Sequence, residues 1–429
     1  MNEAAGEGAF VTLQRRLSAL ASNDSLRRFV AAMAPTAVAL ALQFLAFVVT
    51  ARGLGVEQLG QYAALLGLAA MGVELVSVGT ADVMVRAVAR DRSRFPEYYG
   101  HMLIVIGVAL LPVTALLSWS AVVLVESPVS VSLVFACLFA EILTARIAFS
   151  VEMAMVAHQE PVAASAVRFG TSFARLATAL IYFSFRSDLE GWILATLAQG
   201  FVVAGCALAA AAVRYGKPVW RLQTQDLVLG LVFGTNQVAL TSQSNLDRVV
   251  LGRYAGGAAV GVYAAGSRVL QVGLFPIQIV TRILYPRFFK EGEGGIVATR
   301  RLALKSLPAM FATGVASAAA VMAVAWFLPS ILGGEFARSR DAAIQLAFVL
   351  PIIATQYLAA DALTGAGYQS LRAALYVVAA VSFSLALALG ARLGETQGVI
   401  VAFLGAHLLL AVILWAAAFL VRPRAEVRS

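Results

Sequence analysis

Charged residues are scarce in this sequence. Only 13% of the 429 residues are Asp, Glu, Lys or Arg, while 61% are apolar and the mean hydropathy is +0.85. A soluble domain usually has about 25% charged and about 45–50% apolar residues. Apolar runs of about 20 residues, enough to cross a bilayer, recur along nearly the whole chain. These values exclude a set of soluble domains and predict an all-α integral membrane protein.

Nucleophilic and metal-binding side chains are also few. The two cysteines, Cys137 and Cys206, both fall in apolar runs, so neither a disulfide framework nor a paired-cysteine metal site is expected. The three histidines lack zinc-hydrolase spacing, and none of the three lysines stands in a phosphate-binding glycine loop. The outer loops are predicted to be too short for catalytic groups. We therefore expect no enzyme, no metal, no cofactor and no ATP-driven transport.

The apolar runs predict about twelve transmembrane helices, each about 20 residues long or more. The predicted spans are 29–50, 59–80, 99–124, 129–155, 162–185, 191–213, 227–248, 258–284, 303–328, 342–364, 372–391 and 397–421.

The basic residues indicate the orientation of these spans. With the N-terminus in the cytoplasm, 21 of the 32 Lys and Arg residues fall inside and 6 outside, as the positive-inside rule requires. Both termini are thus predicted to be cytoplasmic. The formal charge of +9 comes from these dispersed residues, which form no basic module of the kind that binds nucleic acid.

An internal repeat relates the two halves of the chain. The segments 48–64 and 249–265 share eight identical residues at a constant offset of 201. Each copy ends the first helix of a six-helix half and begins the second. Because six is even, both halves have the same orientation, which predicts two lobes related by a pseudo-two-fold axis along the membrane normal, with a substrate site between them.

This repeat gives the predicted domains. They are a cytoplasmic basic segment 1–28, an N-lobe 29–213, a cytoplasmic linker 214–226, a C-lobe 227–421 and a cytoplasmic tail 422–429.

Over nearly its whole length the sequence resembles the oligosaccharide or polysaccharide flippases, in the superfamily that also contains the multidrug and toxic-compound exporters. The residues that carry the resemblance are 245–252, 261–263 and Pro286, together with the first-half counterpart 52–62. The resemblance implies movement of a lipid-linked oligosaccharide from the cytoplasmic to the outer leaflet of a bacterial inner membrane. It also implies surface or exopolysaccharide assembly, with a polysaccharide polymerase and chain-length machinery as possible partners.

Polar residues inside the predicted spans are candidates for the substrate site, because each charged side chain there costs about 2.5–3.5 kcal/mol. Arginine forks match pyrophosphate oxygens, and amides suit sugar hydroxyls. The substrate-binding candidates are Arg146, Arg168, Arg175, Arg248, Arg268, Asn236 and Gln243. The candidates for ion coupling or for ion pairing are Glu74, Glu141 and Asp247.

Other interpretations of the same residues remain open at this point. The arginines and carboxylates could form structural ion pairs, and the small polar residues of the seventh span could hold helices together. The carboxylates also suit an ion-coupled exporter of small cationic compounds, the exporter branch of the superfamily. A nonenzymatic receptor or scaffold is disfavoured, since so many polar groups would then line no pathway.

Overall fold

The computed structural model describes residues 24–124 and 129–421, and for part of the N-terminal region and of 229–244 it describes the backbone only. Most of the predicted basic segment 1–28 and the whole predicted tail 422–429 lie outside the described residues. Within them, all regular structure is helical. The helices are α1 Asp24–Ser77, α2 Thr80–Arg90, α3 Phe95–Leu124, α4 Val131–Ala157, α5 Pro161–Phe183, α6 Leu189–Tyr215, α7 Thr224–Glu291, α8 Gly295–Ala325, α9 Leu328–Leu332, α10 Ala337–Ala347, α11 Val349–Gly365 and α12 Gln369–Leu420.

Three of the longest helices contain a break, and two of the breaks occupy equivalent places in the repeat. In α1, Gly55 has φ 72° and ψ 174°, and in α7, Gly256 has φ 78° and ψ 176°. Only glycine adopts this region readily, because it has no Cβ. The two glycines are 201 residues apart, so the repeat in the sequence has a repeated backbone conformation. The third break, in α12, lies at Gly394 and Glu395.

These breaks bear on the number of spans. Seven helical stretches of the described residues are long and apolar enough to cross a membrane, and three of them, of 43, 81 and 52 residues, each include one of the breaks. The helix α5 is not among the seven; its stripe of polar residues lowers its hydropathy. The chain therefore has many membrane-spanning helices, and the count of twelve stays a prediction.

The two halves meet where α1 packs against α7. A methyl group added at Gly60 would overlap the carbonyl of Gly257, and one added at Gly261 would overlap the carbonyl of Val56. These two contacts exchange under the offset of 201. A second pair of contacts is related in the same way. Gly67 lies against Arg248, and the guanidinium of Arg268 lies 5.9 Å from the ring centre of Phe47. The offset relates Gly67 to Arg268 and Phe47 to Arg248. Such reciprocity is what a two-fold relation between α1 and α7 produces.

The break in α1, which is predicted to lie on the outer side of the membrane, is joined to the second half by polar contacts. Arg52 donates from Nε to the carbonyl of Ile331 at 2.6 Å and from Nη2 to that of Ser330 at 3.0 Å. The backbone N–H of Val56, which is freed by the break at Gly55, donates to the Glu335 carboxylate at 3.2 Å. A carboxylate there satisfies a donor at the start of the next helical segment.

The two halves also meet at the predicted cytoplasmic end. There the backbone of Gly79, just after α1, lies against that of Gly230 in α7. The chain between α6 and α7 packs on the start of α3, where Val219 N–H donates to the Pro96 carbonyl at 2.8 Å and the Tyr98 hydroxyl to Asp226 at 2.7 Å. The predicted linker 214–226 is therefore held against the first half.

Candidate functional site

A cavity of about 400 Å³ lies between the two halves of the chain. Most of its wall comes from α1, α4, α5 and α6, while α7 contributes Arg248, Ala264 and Arg268. Four of the five arginines that the sequence singled out line it: Arg168, Arg175, Arg248 and Arg268. Thr171, which lies between Arg168 and Arg175 on one face of α5, also lines it, so this part of the polar face of α5 borders the cavity rather than lipid.

Arg175 belongs to a closed hydrogen-bonded cluster on one wall of the cavity. Its Nη2 lies 2.6 Å from Glu141 Oε2, and its Nη1 donates to the Tyr62 hydroxyl at 3.0 Å. The Tyr62 hydroxyl in turn donates to Glu141 Oε1 at 2.7 Å. Trp192 packs edge-on against the Tyr62 ring, with centroids 6.2 Å apart. The charge of Arg175 is therefore balanced, and its donors are partly used.

Arg168 is paired in the same way. Its Nη2 forms an ion pair with Glu152, another residue of the wall, and its Nη1 lies 3.4 Å from the Thr36 hydroxyl. The side chain of Arg168 is 37% exposed, whereas that of Glu152 is 10% exposed. Both members of this pair line the cavity, and Arg168 is the more exposed of the two.

Arg248 and Arg268 differ from these two. Arg248 Nη2 is 3.5 Å from the Ser267 hydroxyl, and its buried Nε has no hydrogen-bond partner among the described residues. Arg268 Nη1 donates to Gln271 at 2.8 Å. Neither forms a salt bridge with any side chain that the structure describes. Since four arginines and two glutamates line the cavity, its wall carries two positive charges without a paired carboxylate.

Arg146, the fifth of these arginines, lies away from the cavity. Arg146 is 1% exposed, does not line the cavity, and lies 4.0 Å from Glu74 and 5.3 Å from the ring centre of Phe149. Arg146 is five residues after Glu141 and six before Glu152, and these spacings place it on the opposite face of α4 from both. Because that face packs inside the first half, Arg146 and Glu74 form a buried pair away from the cavity.

The candidates on α7 are described only in part. The side chains of Asn236 and Gln243 lie outside the described residues, so the structure tests neither as a sugar contact. Asp247 is 3% exposed and accepts hydrogen bonds from the Tyr263 hydroxyl at 2.7 Å and the Arg248 backbone N–H at 2.8 Å. Tyr263 is the counterpart of Tyr62 in the repeat, and each tyrosine donates to a carboxylate.

Several residues of the cavity wall were not among the sequence-based site residues. These are Gln43, Thr50, Tyr62, Thr144, Glu152, Trp192 and Gln199, together with apolar neighbours. Tyr62 was visible in the repeat, and its recurrence at Tyr263 was a usable signal. The isolated polar residues gave no signal in the sequence, because their helices are otherwise apolar and their neighbours in space come from distant parts of the chain.

A family model described as polysaccharide biosynthesis protein matches residues 28–291. The chain belongs to that family. The match spans the first half and all of α7, the helices that enclose the cavity. A comparison with curated protein sequences finds no significant match.

Solved structures extend the similarity of fold to the rest of the chain. An inward-facing multidrug resistance MATE family transporter of the MOP superfamily aligns with a TM-score of 0.72 and 16% identity, over 90% of this chain and 97% of that one. The MATE multidrug transporter DinF-BH, solved in complex with R6G, aligns at 0.64 and 16% identity over 94% and 98%. An outward-facing MATE transporter aligns at 0.61 and 15% identity over 91% and 94%. This member of the family therefore has a multi-pass, all-helical fold like that of MOP-superfamily transporters, rather than an enzyme fold.

Proposed function

We propose that this protein flips a polyprenyl-pyrophosphate-linked oligosaccharide from the cytoplasmic to the outer leaflet by alternating access. One observation supports it above all: Arg248 and Arg268 line a cavity between the halves without a paired carboxylate among the described side chains. Both guanidinium groups are partly removed from water and lack a carboxylate partner among the described side chains, so a bound anion would offset part of the cost of desolvating them.

The chemistry of the two arginines suits a pyrophosphate group. The guanidinium keeps its charge when it is buried and donates two parallel hydrogen bonds to phosphate oxygens. A cavity of about 400 Å³ is at the small end of ligand sites, which span about 300–1,000 Å³. We therefore expect it to hold the pyrophosphate and the first sugar, while the polyprenyl chain stays in the bilayer.

Two lobes, 29–213 and 227–421, would move against each other in this mechanism. Their proposed pseudo-two-fold relation is supported by the matching breaks at Gly55 and Gly256 and by the reciprocal contacts of Gly60 and Gly261. Loading from the cytoplasm is supported by the contacts of Arg52 and Glu335, which join the halves at the outer end. The higher TM-score against the inward-facing transporter also agrees with it.

The carboxylates in the first half would be ion-pair partners in this scheme. Glu141 holds Arg175 at 2.6 Å and Glu74 lies 4.0 Å from Arg146, while Asp247 is occupied by Tyr263. The energy for transport would come from the membrane potential, because each complete cycle moves an anionic headgroup outward, which is worth about 2.3 kcal/mol per charge per 100 mV. No coupling ion is needed for outward movement.

The proposed substrate can be tested with purified protein in liposomes. Lipid-linked oligosaccharide placed in one leaflet should appear in the other at a rate that depends on the protein, whereas a cationic dye should not be moved against a proton gradient. Export of small cations is the second candidate, favoured by the likeness to multidrug transporters. Dye transport without movement of the lipid-linked sugar would replace our proposal with that one.

The proposed location is the cytoplasmic membrane of a bacterium, with both termini inside, beside polysaccharide polymerase and chain-length machinery. The 21 to 6 distribution of basic residues supports this orientation. A tag at either terminus should be protected from protease in intact cells. The variant Ala258→Cys, at an exposed residue beside the break in α7, should react with an impermeant reagent from outside in a Cys206→Ser background. Labelling of a C-terminal cysteine from outside would contradict it.

A further inference from the structure

A second cavity, of about 560 Å³, lies at the predicted outer end of the second half. Three segments enclose it: the turn after the break in α7, the start of α10, and the break in α12. Its size is within the range of about 300–1,000 Å³ that is usual for ligand sites.

Polar residues of α10 and of the break in α12 line this outer cavity together with small apolar residues of α7. On α10, Arg338, Asp341 and Gln345 follow each other at spacings of three and four, which places them on one helix face. The break in α12 adds Glu395 and Gln397, whose neighbour Thr396 also lines the cavity. The α7 wall has small residues instead, Ala255, Ala258 and Ala259. Amides, carboxylates and a guanidinium can bond hydroxyl groups, and the alanines leave room for a flat apolar face.

The backbone of the α12 break is strained at a residue of this wall. Glu395 has φ 48° and ψ −129°, although the residue before it, Gly394, is a glycine with φ −155°. A non-glycine residue in such a conformation costs about 1–3 kcal/mol and is found preferentially at ligand sites. The strained position carries a carboxylate rather than a hydrogen, so the strain presents a polar side chain to the outer cavity.

The charge of this cavity differs from that of the central one. Arg340 balances Asp341 through an ion pair at 3.0 Å, which leaves one arginine and one glutamate, Arg338 and Glu395, on the wall. A wall with balanced charge and two amides does not select an anion. It suits an uncharged ligand with many hydroxyl groups.

The outer cavity also lies beside the contact that joins the two halves. Val262, one of its lining residues, directly follows Gly261, whose backbone packs against Val56 of α1. A ligand that leaves the central cavity toward the outside would pass this contact.

We propose that the outer cavity is a saccharide subsite, which binds uncharged sugar units of the oligosaccharide on the outer side while Arg248 and Arg268 hold the phosphate. This inference rests on the proposed function. It assigns the phosphate to the cationic central cavity and the sugar units to the outer cavity, whose charge is balanced.

The test uses the purified full-length protein and the free oligosaccharide released by mild acid from the lipid-linked oligosaccharide of the same cells. Binding is measured by calorimetry and by saturation-transfer NMR. The double variant Gln345→Ala/Gln397→Ala should bind at least 10-fold more weakly, since it loses both amides. Gln225→Ala, an exposed glutamine at the start of α7, is the matched control and should bind as the wild type does.

Glu395→Gly provides a second variant that does not weaken the fold. Because glycine tolerates a positive φ, this variant should unfold at a higher temperature and yet bind the oligosaccharide less tightly. The proposal is overturned if the wild type does not bind the free oligosaccharide, or if the double variant and Glu395→Gly both bind it as tightly as the wild type.

A separate measurement distinguishes this inference from the proposed function. Binding of inorganic pyrophosphate should be lost in Arg248→Gln/Arg268→Gln and kept in Gln345→Ala/Gln397→Ala. Normal pyrophosphate binding together with unchanged oligosaccharide binding in the amide variant rejects the outer subsite only. Pyrophosphate binding that is independent of both arginines rejects the central site instead.

Discussion

Replacing Arg248 and Arg268 together by glutamine is expected to abolish transport and to leave the protein folded. Neither residue has a salt-bridge partner among the described side chains. The buried carboxylate next to Arg248, Asp247, would keep its hydrogen bonds from the Tyr263 hydroxyl and the residue 248 backbone N–H. Each arginine would make charge-assisted hydrogen bonds to phosphate, and a bond to a charged group is worth about 1.5–3 kcal/mol. The loss of both should reduce transport by about 100-fold or more. Glycan assembly in cells and flipping in liposomes are the measurements.

Two further variants make this result specific. Lysine at both positions keeps the charge but loses the planar fork, so it should restore only part of the activity. Arg90→Gln, at the exposed end of α2, removes one positive charge outside the cavity and should have no effect. Normal assembly in the double glutamine variant, at normal membrane levels, would refute the site.

Arg175→Leu should, in contrast, destabilise the protein strongly. It leaves Glu141 in a wall where that side chain is only 12% exposed, with the Tyr62 hydroxyl as its remaining partner. Removing one member of a buried ion pair costs about 3–5 kcal/mol. We expect low membrane levels and a marked fall in the thermal unfolding temperature in detergent.

The matching variant removes both charges. Arg175→Leu/Glu141→Leu leaves no unpaired ion, so most of the stability should return, and a double-mutant cycle measures the coupling between the two residues. Stability of the single variant equal to that of the wild type would show that the cluster is not structural. Transport lost in a stable single variant would assign Arg175 to substrate binding.

The sequence predicted the helical membrane fold and most of the cavity arginines, because both follow from the cost of polar groups in lipid. That cost identified Arg168 and Arg175 on a polar face of α5, which does face the cavity. It also favoured Arg146, which lies away from the cavity and 4.0 Å from Glu74. Periodicity shows which residues share a helix face, but it does not show what that face packs against.

The sequence also could not predict which arginine pairs with which carboxylate, because it does not show what lies opposite each helix face. Arg175 and Glu141 are 34 residues apart and belong to different helices, and the spacing between spans contains no information on which helices touch. The repeat did better, because Gly55 and Gly256 need glycine for a local backbone reason that the sequence records. The break in α12 left no comparable signal, since its strained residue is Glu395.

Because Arg248 and Arg268 have no salt-bridge partner among the described side chains, the empty carrier would also respond to the electric field across the membrane. With a pyrophosphate dianion bound, the cavity wall and its cargo are close to neutral, so the loaded protein would change conformation almost independently of voltage. The empty protein would carry about two positive charges on its return. Each charge is worth about 2.3 kcal/mol per 100 mV, so an inside-negative potential of about 100 mV would supply at most about 4.6 kcal/mol toward the inward-facing state. The resting potential would thus reset the carrier after each release. Abolishing it with valinomycin and high external potassium should slow repeated turnover while leaving a single flipping event nearly unchanged.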